Sequence, residues 1–407
     1  MNQSNANGSE KIETAGLPRR DWILLPLLGL LTIGVLSVSF ELIAQKLFAR
    51  SKTVGEDCMM FDDPSTGVRG IPNSVCWEKP AEGELTEYRL NSSGYRSSVE
   101  FGPKPAGTYR IVMIGTSFAA GMRVPEEKIF ATLLPNELSS RTGRKVELYN
   151  EGNPYRYLDA VALHFNEVLK FNPDMILWII TRGDLRETHT EPKGLAEDHG
   201  AWSSSSQSLW ARALRRWKVE FGSKSFTAAT GEMLRHSQTA FLLQHFLLQS
   251  QSQYVRSYLL GADSEMGYLR AQPSAAWQMW LRGFDSEAAD IEGQANTAGI
   301  PLVAVFLPRG PQAAMISMGE WPAEMDPYKL DDNLRSVIVS HGGIYIDILP
   351  EFRNIPNPEQ GYFPIEGHPN AAGHAIISRL LAKELTSGVI PALRTAALPH
   401  AALEQGR

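Results

Sequence analysis

From Trp22 to Phe40 the chain runs nineteen residues without a charged side chain. As a helix that run spans about 28 Å, close to the hydrocarbon thickness of a bilayer. Arg19, Arg20 and Asp21 abut it, and Trp22 stands where an interfacial aromatic would. Glu41 ends it, while the helical pattern continues through Leu42, Ile43, Leu47 and Phe48. The run predicts a transmembrane anchor over residues 22–44, behind a tail at 1–21 whose first sixteen residues are polar. A cleaved signal peptide is the competing reading, with Ser37-Val38-Ser39 as a small-x-small site, although the apolar core is long for one. Lys11, Arg19 and Arg20 before the run nearly balance Lys46, Arg50 and Lys52 after it. The arginine pair and the amino terminus then favour a cytoplasmic tail and a large domain outside the cytoplasm.

Cys58 and Cys76 are the only two cysteines. That count excludes a cysteine-rich zinc module or a multi-disulfide scaffold. In an extracytoplasmic stretch rich in Asp, Pro and Gly they are expected to pair, which would stabilise the fold by about 3 kcal/mol. Two unrelated thiols are the alternative. With 39 basic and 45 acidic residues the net charge is -6. A nucleic-acid partner is not expected, because phosphate binding needs a basic face.

From Tyr109 onward, apolar runs alternate with amphipathic stretches. Strands are expected at Tyr109–Ile114, Lys145–Tyr149, Met175–Ile180, Ile300–Leu307 and Gly343–Ile348. Helices are expected at Pro125–Ser140, Tyr157–Phe171 and Asn370 to about Leu385. Mostly unalternating strands separated by helices indicate a parallel sheet covered on both faces. Between the third and fourth strands, Trp210–Phe221, Glu232–Leu260 and Ser274–Ala298 read as helices, with Ser203 to Ser206 as a flexible connection. This is a helical insertion at about 186–299. The predicted organisation is a lead-in at 45–108, an α/β domain at 109–387 and a C-terminal tail at 388–407.

Ligands bind beyond the carboxyl ends of strands in open α/β sheets. The first strand ends in Gly115-Thr116-Ser117, the second in Asn150-Glu151-Gly152-Asn153-Pro154, and the third in Thr181-Arg182-Gly183-Asp184. Near the C-terminus stands Glu366-Gly367-His368-Pro369-Asn370-Ala371-Ala372-Gly373-His374. A serine hydroxyl is inert near neutral pH without a base, and His368 can be that base. A carboxylate would orient the imidazole. Glu366 and Asp347, at the end of the fifth strand, compete for that role.

These four segments, in this order, resemble the blocks of the SGNH (GDSL-like) hydrolases, a family of esterases and acyltransferases. Asp63-Pro-Ser-Thr-Gly67-Val-Arg69, Pro72-Asn73 and Asn91-Ser-Ser-Gly94-Tyr-Arg96 are similar to a membrane-anchored bacterial branch. The resemblance covers roughly residues 60–185 and 300–387. It implies a three-layer α/β/α fold with a parallel five-stranded, flavodoxin-like sheet. It implies Ser117 as nucleophile, His368 as base and Glu366 as its acid, with Gly152, Tyr155 and Gly183 at the oxyanion hole and no metal or cofactor. The implied substrate is an acylated envelope glycan, and the implied location is a single-pass inner-membrane protein with a periplasmic domain. Thr116 stands where the family has Asp, Tyr155 where it has Gly, and Gly183 where it has the oxyanion-binding Asn. Glu366 lies two residues before the histidine, and a spacing of three would fall on Ile365.

Two other readings stay open. Gly115-Thr-Ser117-Phe-Ala119 nearly matches the nucleophile elbow of an α/β-hydrolase, with Asp347 before His368 in the expected order. The altered third block also fits an inactive protein that binds glycan or acts as a scaffold. His374 reads as a histidine packed in the last helix rather than a metal ligand, and Arg182-Gly-Asp184 as a chance tripeptide.

Overall fold

Five short apolar runs lie side by side as one parallel sheet, because intervening helices return the chain to the same end after each strand. The computed structural model describes residues 20–47, 57–156, 158–186, 237–259 and 266–395. The polar tail before Leu17, the Ser203 to Ser206 connection and the helix expected at Trp210–Phe221 lie outside them.

Helix α1 (Asp21–Leu47) carries the apolar run. Its segment Trp22–Lys46 has a mean hydropathy of 2.3 and leaves its most apolar window unburied. Length and composition fit a membrane span or a signal sequence.

The lead-in folds into two antiparallel hairpins that the sequence pattern does not announce. The first pairs β1 (Met59–Asp63) with β2 (Gly67–Gly70), and the second β3 (Val75–Glu78) with β4 (Thr86–Arg89). Between β1 and β2, Asp63 Oδ1 accepts bonds from the amides of Ser65 and Thr66 at 3.1 and 2.8 Å. This is the side-chain turn chemistry that favours Asp there. Cys58 and Cys76 are joined in a disulfide, with Cα atoms 6.2 Å apart, tying the start of the first hairpin to β3.

The core follows as β5 (Thr108–Gly115), α2 (Phe130–Thr142), β6 (Lys145–Asn150), α3 (Leu158–Leu163), α4 (Phe165–Lys170), β7 (Met175–Ile180) and α5 (Arg182–Arg186). Next come α6 (Gln238–Leu247), α7 (Gln251–Leu259), α8 (Ala275–Thr297), β8 (Leu302–Phe306), α9 (Gly310–Met318), α10 (Lys329–Ser340), β9 (Ile344–Ile346) and α11 (Ala371–Glu384). The sheet order is β6-β5-β7-β8-β9, parallel throughout. This is the expected α/β fold. β5, β7 and β8 are buried along their whole length. Helices flank them in two groups, α2 with α11 and α8 with α3, α5 and α10.

Several boundaries differ from the expected ones. The helix expected from Tyr157 to Phe171 is divided into α3 and α4 at His164. The one expected up to Leu260 is two helices, parted after Leu247. The helix expected from Pro125 begins at Phe130, because Ile129 is extended after a short turn over Glu126–Lys128. The expected start of α8 holds, since Ser274 Oγ caps it by accepting the Trp277 amide at 3.4 Å.

Between β5 and β7 the chain reverses its direction across the sheet. Ser117 follows β5 at that switch point, where an open α/β sheet has its crevice.

Candidate active site

The turn after β5 is held in shape by a buried cation. Arg96 donates to the carbonyl oxygens of Ala120 at 3.3 Å, Gly121 at 2.5 Å and Val124 at 2.6 Å. Its guanidinium also stacks 4.0 Å from the centroid of the Tyr88 ring. A single planar fork from the lead-in thus fixes the loop that presents Ser117. Gly152 closes in from β6, and a Cβ there would lie 2.4 Å from the Ala120 amide nitrogen. Only glycine allows that approach.

Ser117 and His368 are 251 positions apart in sequence and joined by a hydrogen bond, Oγ to Nε2 at 2.8 Å. Both are buried. The other imidazole nitrogen, Nδ1, lies 2.5 Å from Glu366 Oε1. Glu366 Oε2 accepts the backbone amide of His368 at 3.1 Å. The carboxylate folds back on its own loop because Gly367 takes a left-handed backbone, φ 86°, which costs glycine little. Asp347 is engaged elsewhere, in an ion pair with Arg335 and as acceptor of the Leu349 amide at 3.0 Å. The carboxylate on His368 is therefore Glu366.

Arg96, Arg123, Glu78, Glu82 and His245, to which sequence reasoning assigned no role, complete this arrangement. Arg96 lies inside a motif quoted above, without a role. Arg123 forms an ion pair with Glu366 and approaches Glu78 Oε1 at 3.4 Å. It stands in the left-handed region, φ 69°, a conformation that costs a non-glycine residue about 1–2 kcal/mol. Its amide donates to the Tyr88 hydroxyl. Glu82, with its side chain only 1% exposed, accepts the amides of Ile365 at 3.1 Å and Glu366 at 2.9 Å. His245 Nδ1, from α6, lies 2.9 Å from the same carboxylate. Nothing in local composition marks Arg123, Glu78 or Glu82.

Burial, followed by the guanidinium charges of Arg123 and Arg309, holds the pKa of His368 well below the usual imidazole value. Near neutral pH the ring is then uncharged, the state a base requires. His374 is also pushed down, to about 3, chiefly by burial. It accepts the Phe130 amide at 3.3 Å and stacks on the Phe130 ring. It is packed between α11 and α2, as its sequence context suggested.

The oxyanion positions are placed less simply. The Gly152 amide donates to Asn150 Oδ1 at 2.9 Å, and the Tyr155 amide to Asn153 Oδ1 at 2.9 Å. Each amide is taken by an Asx turn in its own loop. Gly183 lies in the first turn of α5, where amides have no partner within the helix. Arg182 is buried with its guanidinium 5.8 Å from the centroid of the Tyr268 ring.

Thr116, in the place of the family's aspartate, has a structural partner. Its hydroxyl bonds Asp184, which also accepts the Thr181 amide and hydroxyl, both at 2.6 Å. Burial raises the Asp184 pKa to about 6 against the opposing effect of these bonds. The third block thereby grips the residue beside Ser117, and Arg182-Gly-Asp184 is too buried to serve as an exposed tripeptide.

No family model matches the chain, and no curated protein matches it. Among solved structures it is similar to the lipase/acylhydrolase from Enterococcus faecalis, at 11% identity and a TM-score of 0.34, over 68% of this chain and 95% of that one. It is also similar to a candidate SGNH hydrolase from Slackia heliotrinireducens, at 13% identity and a TM-score of 0.29, over 68% and 99% of the two chains. Likenesses this distant carry no argument about activity, which rests on the geometry of the site itself.

Proposed function

We propose that the protein is a serine esterase or O-acyltransferase acting on acyl esters, acetyl foremost, of an envelope glycan, held at the inner membrane by α1 with its domain in the periplasm. The observation that carries this reading is the chain of hydrogen bonds from Glu366 through His368 to Ser117 at the switch point of the sheet. His368 Nε2 takes the hydroxyl proton as Ser117 Oγ attacks the ester carbonyl. The same nitrogen returns that proton to the departing sugar oxygen, leaving an acyl-serine. Water or a second sugar hydroxyl, deprotonated by His368, then attacks the acyl carbonyl and frees the serine. Glu366 stabilises the imidazolium that forms in each step. The amides of Ser117 and Gly183 are the candidate oxyanion donors, and those of Gly152 and Tyr155 join them if their loops open. The glycan and the acetyl group come from the motif resemblance, and the disulfide favours an oxidising compartment.

A fluorophosphonate probe offered to the full chain tests the chemistry. Rapid labelling of Ser117, together with release of acetate from an acetylated glycan, is expected.

A second reading, an inactive glycan-binding or scaffold protein, is favoured by one observation: two candidate oxyanion amides are already satisfied within their loops. No probe labelling and no serine-dependent turnover on acetylated glycan or nitrophenyl acetate would decide for it.

A further inference from the structure

Helix α6 starts beside the point where the uncharged run of α1 ends. Glu41, the first charge after the nineteen-residue run, accepts hydrogen bonds from Ser237 Oγ at 2.7 Å and from the amides of Gln238 at 2.9 Å and Thr239 at 3.0 Å. Ser237 is the N-cap of α6 and accepts the Ala240 amide at 3.1 Å. A carboxylate from α1 thus completes the cap of α6, where free amides and the helix dipole favour an anion. α6 packs on α1, whose Ala44 is buried near that end.

The two faces of α6 differ. Ala240, Phe241 and Gln244 point inward, followed by the C-cap Leu248. Leu243, Phe246 and Leu247 are 48%, 65% and 47% exposed. Their spacing places them in one stripe on a single helix face. On α1, Leu42 and Ile43, just beyond Glu41, are likewise exposed.

We infer that this stripe rests on the lipid surface, making α6 an interfacial helix beside the anchor. The inference depends on the reading of α1 as an uncleaved membrane span. Residue 41 then marks the edge of the hydrocarbon. A ten-residue helix is about 15 Å long, so all of α6 stays within that distance of its capped end. An apolar stripe so close to the bilayer, on a helix packed against the anchor, finds its apolar partner in lipid rather than in protein. Through its other side α6 reaches the site, because His245 contacts Glu82 and Glu82 holds the Ile365 and Glu366 amides. Seating α6 on lipid therefore sets the height of the Glu366 loop above the membrane.

The test uses the full chain in lipid nanodiscs, with a fluorophore on single cysteines introduced by Leu31→Cys, Phe246→Cys, Leu247→Cys and Val339→Cys. Spin labels on the lipid, near the headgroup or near the chain end, and aqueous iodide serve as quenchers. An interfacial helix buries its apolar face about 5–10 Å into the headgroup region. Labels at 246 and 247 should be quenched more by the shallow lipid label than by the deep one, and little by iodide. The label at 31 should show the reverse depth preference, and the one at 339 should respond to iodide alone. Iodide access at 246 and 247, with lipid quenching kept at 31, overturns the inference and spares the anchor. Shielding of 246 and 247 from both lipid and aqueous quenchers also overturns it, because protein then covers the stripe. Absence of lipid quenching at 31 overturns the anchor reading and the inference together.

Discussion

Arg123 and Glu366 form an ion pair immediately beside the contact that Glu366 makes with His368. The same carboxylate oxygen faces a guanidinium and an imidazole. The cation partly neutralises the charge that would stabilise an imidazolium, and its own field lowers the pKa of His368. An active enzyme should therefore keep its kcat/KM through pH 6.5, losing it only at a more acid pH, where His368 becomes protonated. Arg123→Gln removes a nearby positive charge and should move that acid limb upward. A pH–rate profile of both proteins checks this, and an unmoved limb in the variant would contradict the proposed field.

Ser117→Ala and His368→Ala should each abolish nearly all turnover, with the double variant little worse, because nucleophile and base act as one unit. Glu366→Gln should cost less than either, since it keeps the shape and loses the charge. Single-turnover kinetics on nitrophenyl acetate distinguish these outcomes. Additive losses in the double variant would show that the two side chains do not share a step.

Glu82→Gln weakens the acceptor of the Ile365 and Glu366 amides without emptying the space. A fall in kcat of about tenfold is expected, the equivalent of one hydrogen bond, with KM little changed. An unchanged kcat would show that the loop keeps its position without this carboxylate.

Changing both Cys58 and Cys76 to Ser should lower unfolding stability by about 3 kcal/mol, the loop-closure contribution for a separation of this order. Urea unfolding in nanodiscs measures it. Equal midpoints for the two proteins would count against a disulfide in the folded chain.

Glu292 is fully buried on α8, with no hydrogen-bond partner for either oxygen among the described residues and a pKa raised by burial from 4.5 to about 8. The folded state thus holds this proton more tightly than the unfolded chain. The associated stability is complete below about pH 4.5 and is lost as pH rises through 8. Glu292→Met should stabilise the protein at pH 8 and change little at pH 4.5, as read by thermal unfolding at both values. An equal effect at the two pH values would exclude an ionisable origin.

Ser117 and His368 were legible because each sits in a small-residue loop beyond an apolar run, in a recognisable order. The choice between Glu366 and Asp347 was not, since it depends on the left-handed turn at Gly367 and on Arg335 occupying Asp347. The turn bonds that hold the Gly152 and Tyr155 amides have a local origin that sequence spacing does not show: Asn150 and Asn153 compete for those amides, and spacing does not say which acceptor wins. The sheet could be read from five buried runs. The hairpins could not, because their four- and five-residue strands are half exposed and have no long apolar period to detect.

Arg96 has a practical meaning for anyone who wishes to produce this protein in pieces. An expression boundary drawn at residue 108, where the sheet begins, would retain every strand of the core along with Ser117, His368 and Glu366. It would discard the cation that holds the turn around Ser117, the Tyr88 ring beneath it, and the carboxylates of Glu78 and Glu82 that brace Arg123 and the loop of Glu366. Such a fragment would carry the full set of reacting groups with their scaffolding cut away. The smallest unit that retains a shaped site begins upstream of the disulfide, so a cloning strategy guided by the sheet alone would cut through the active centre.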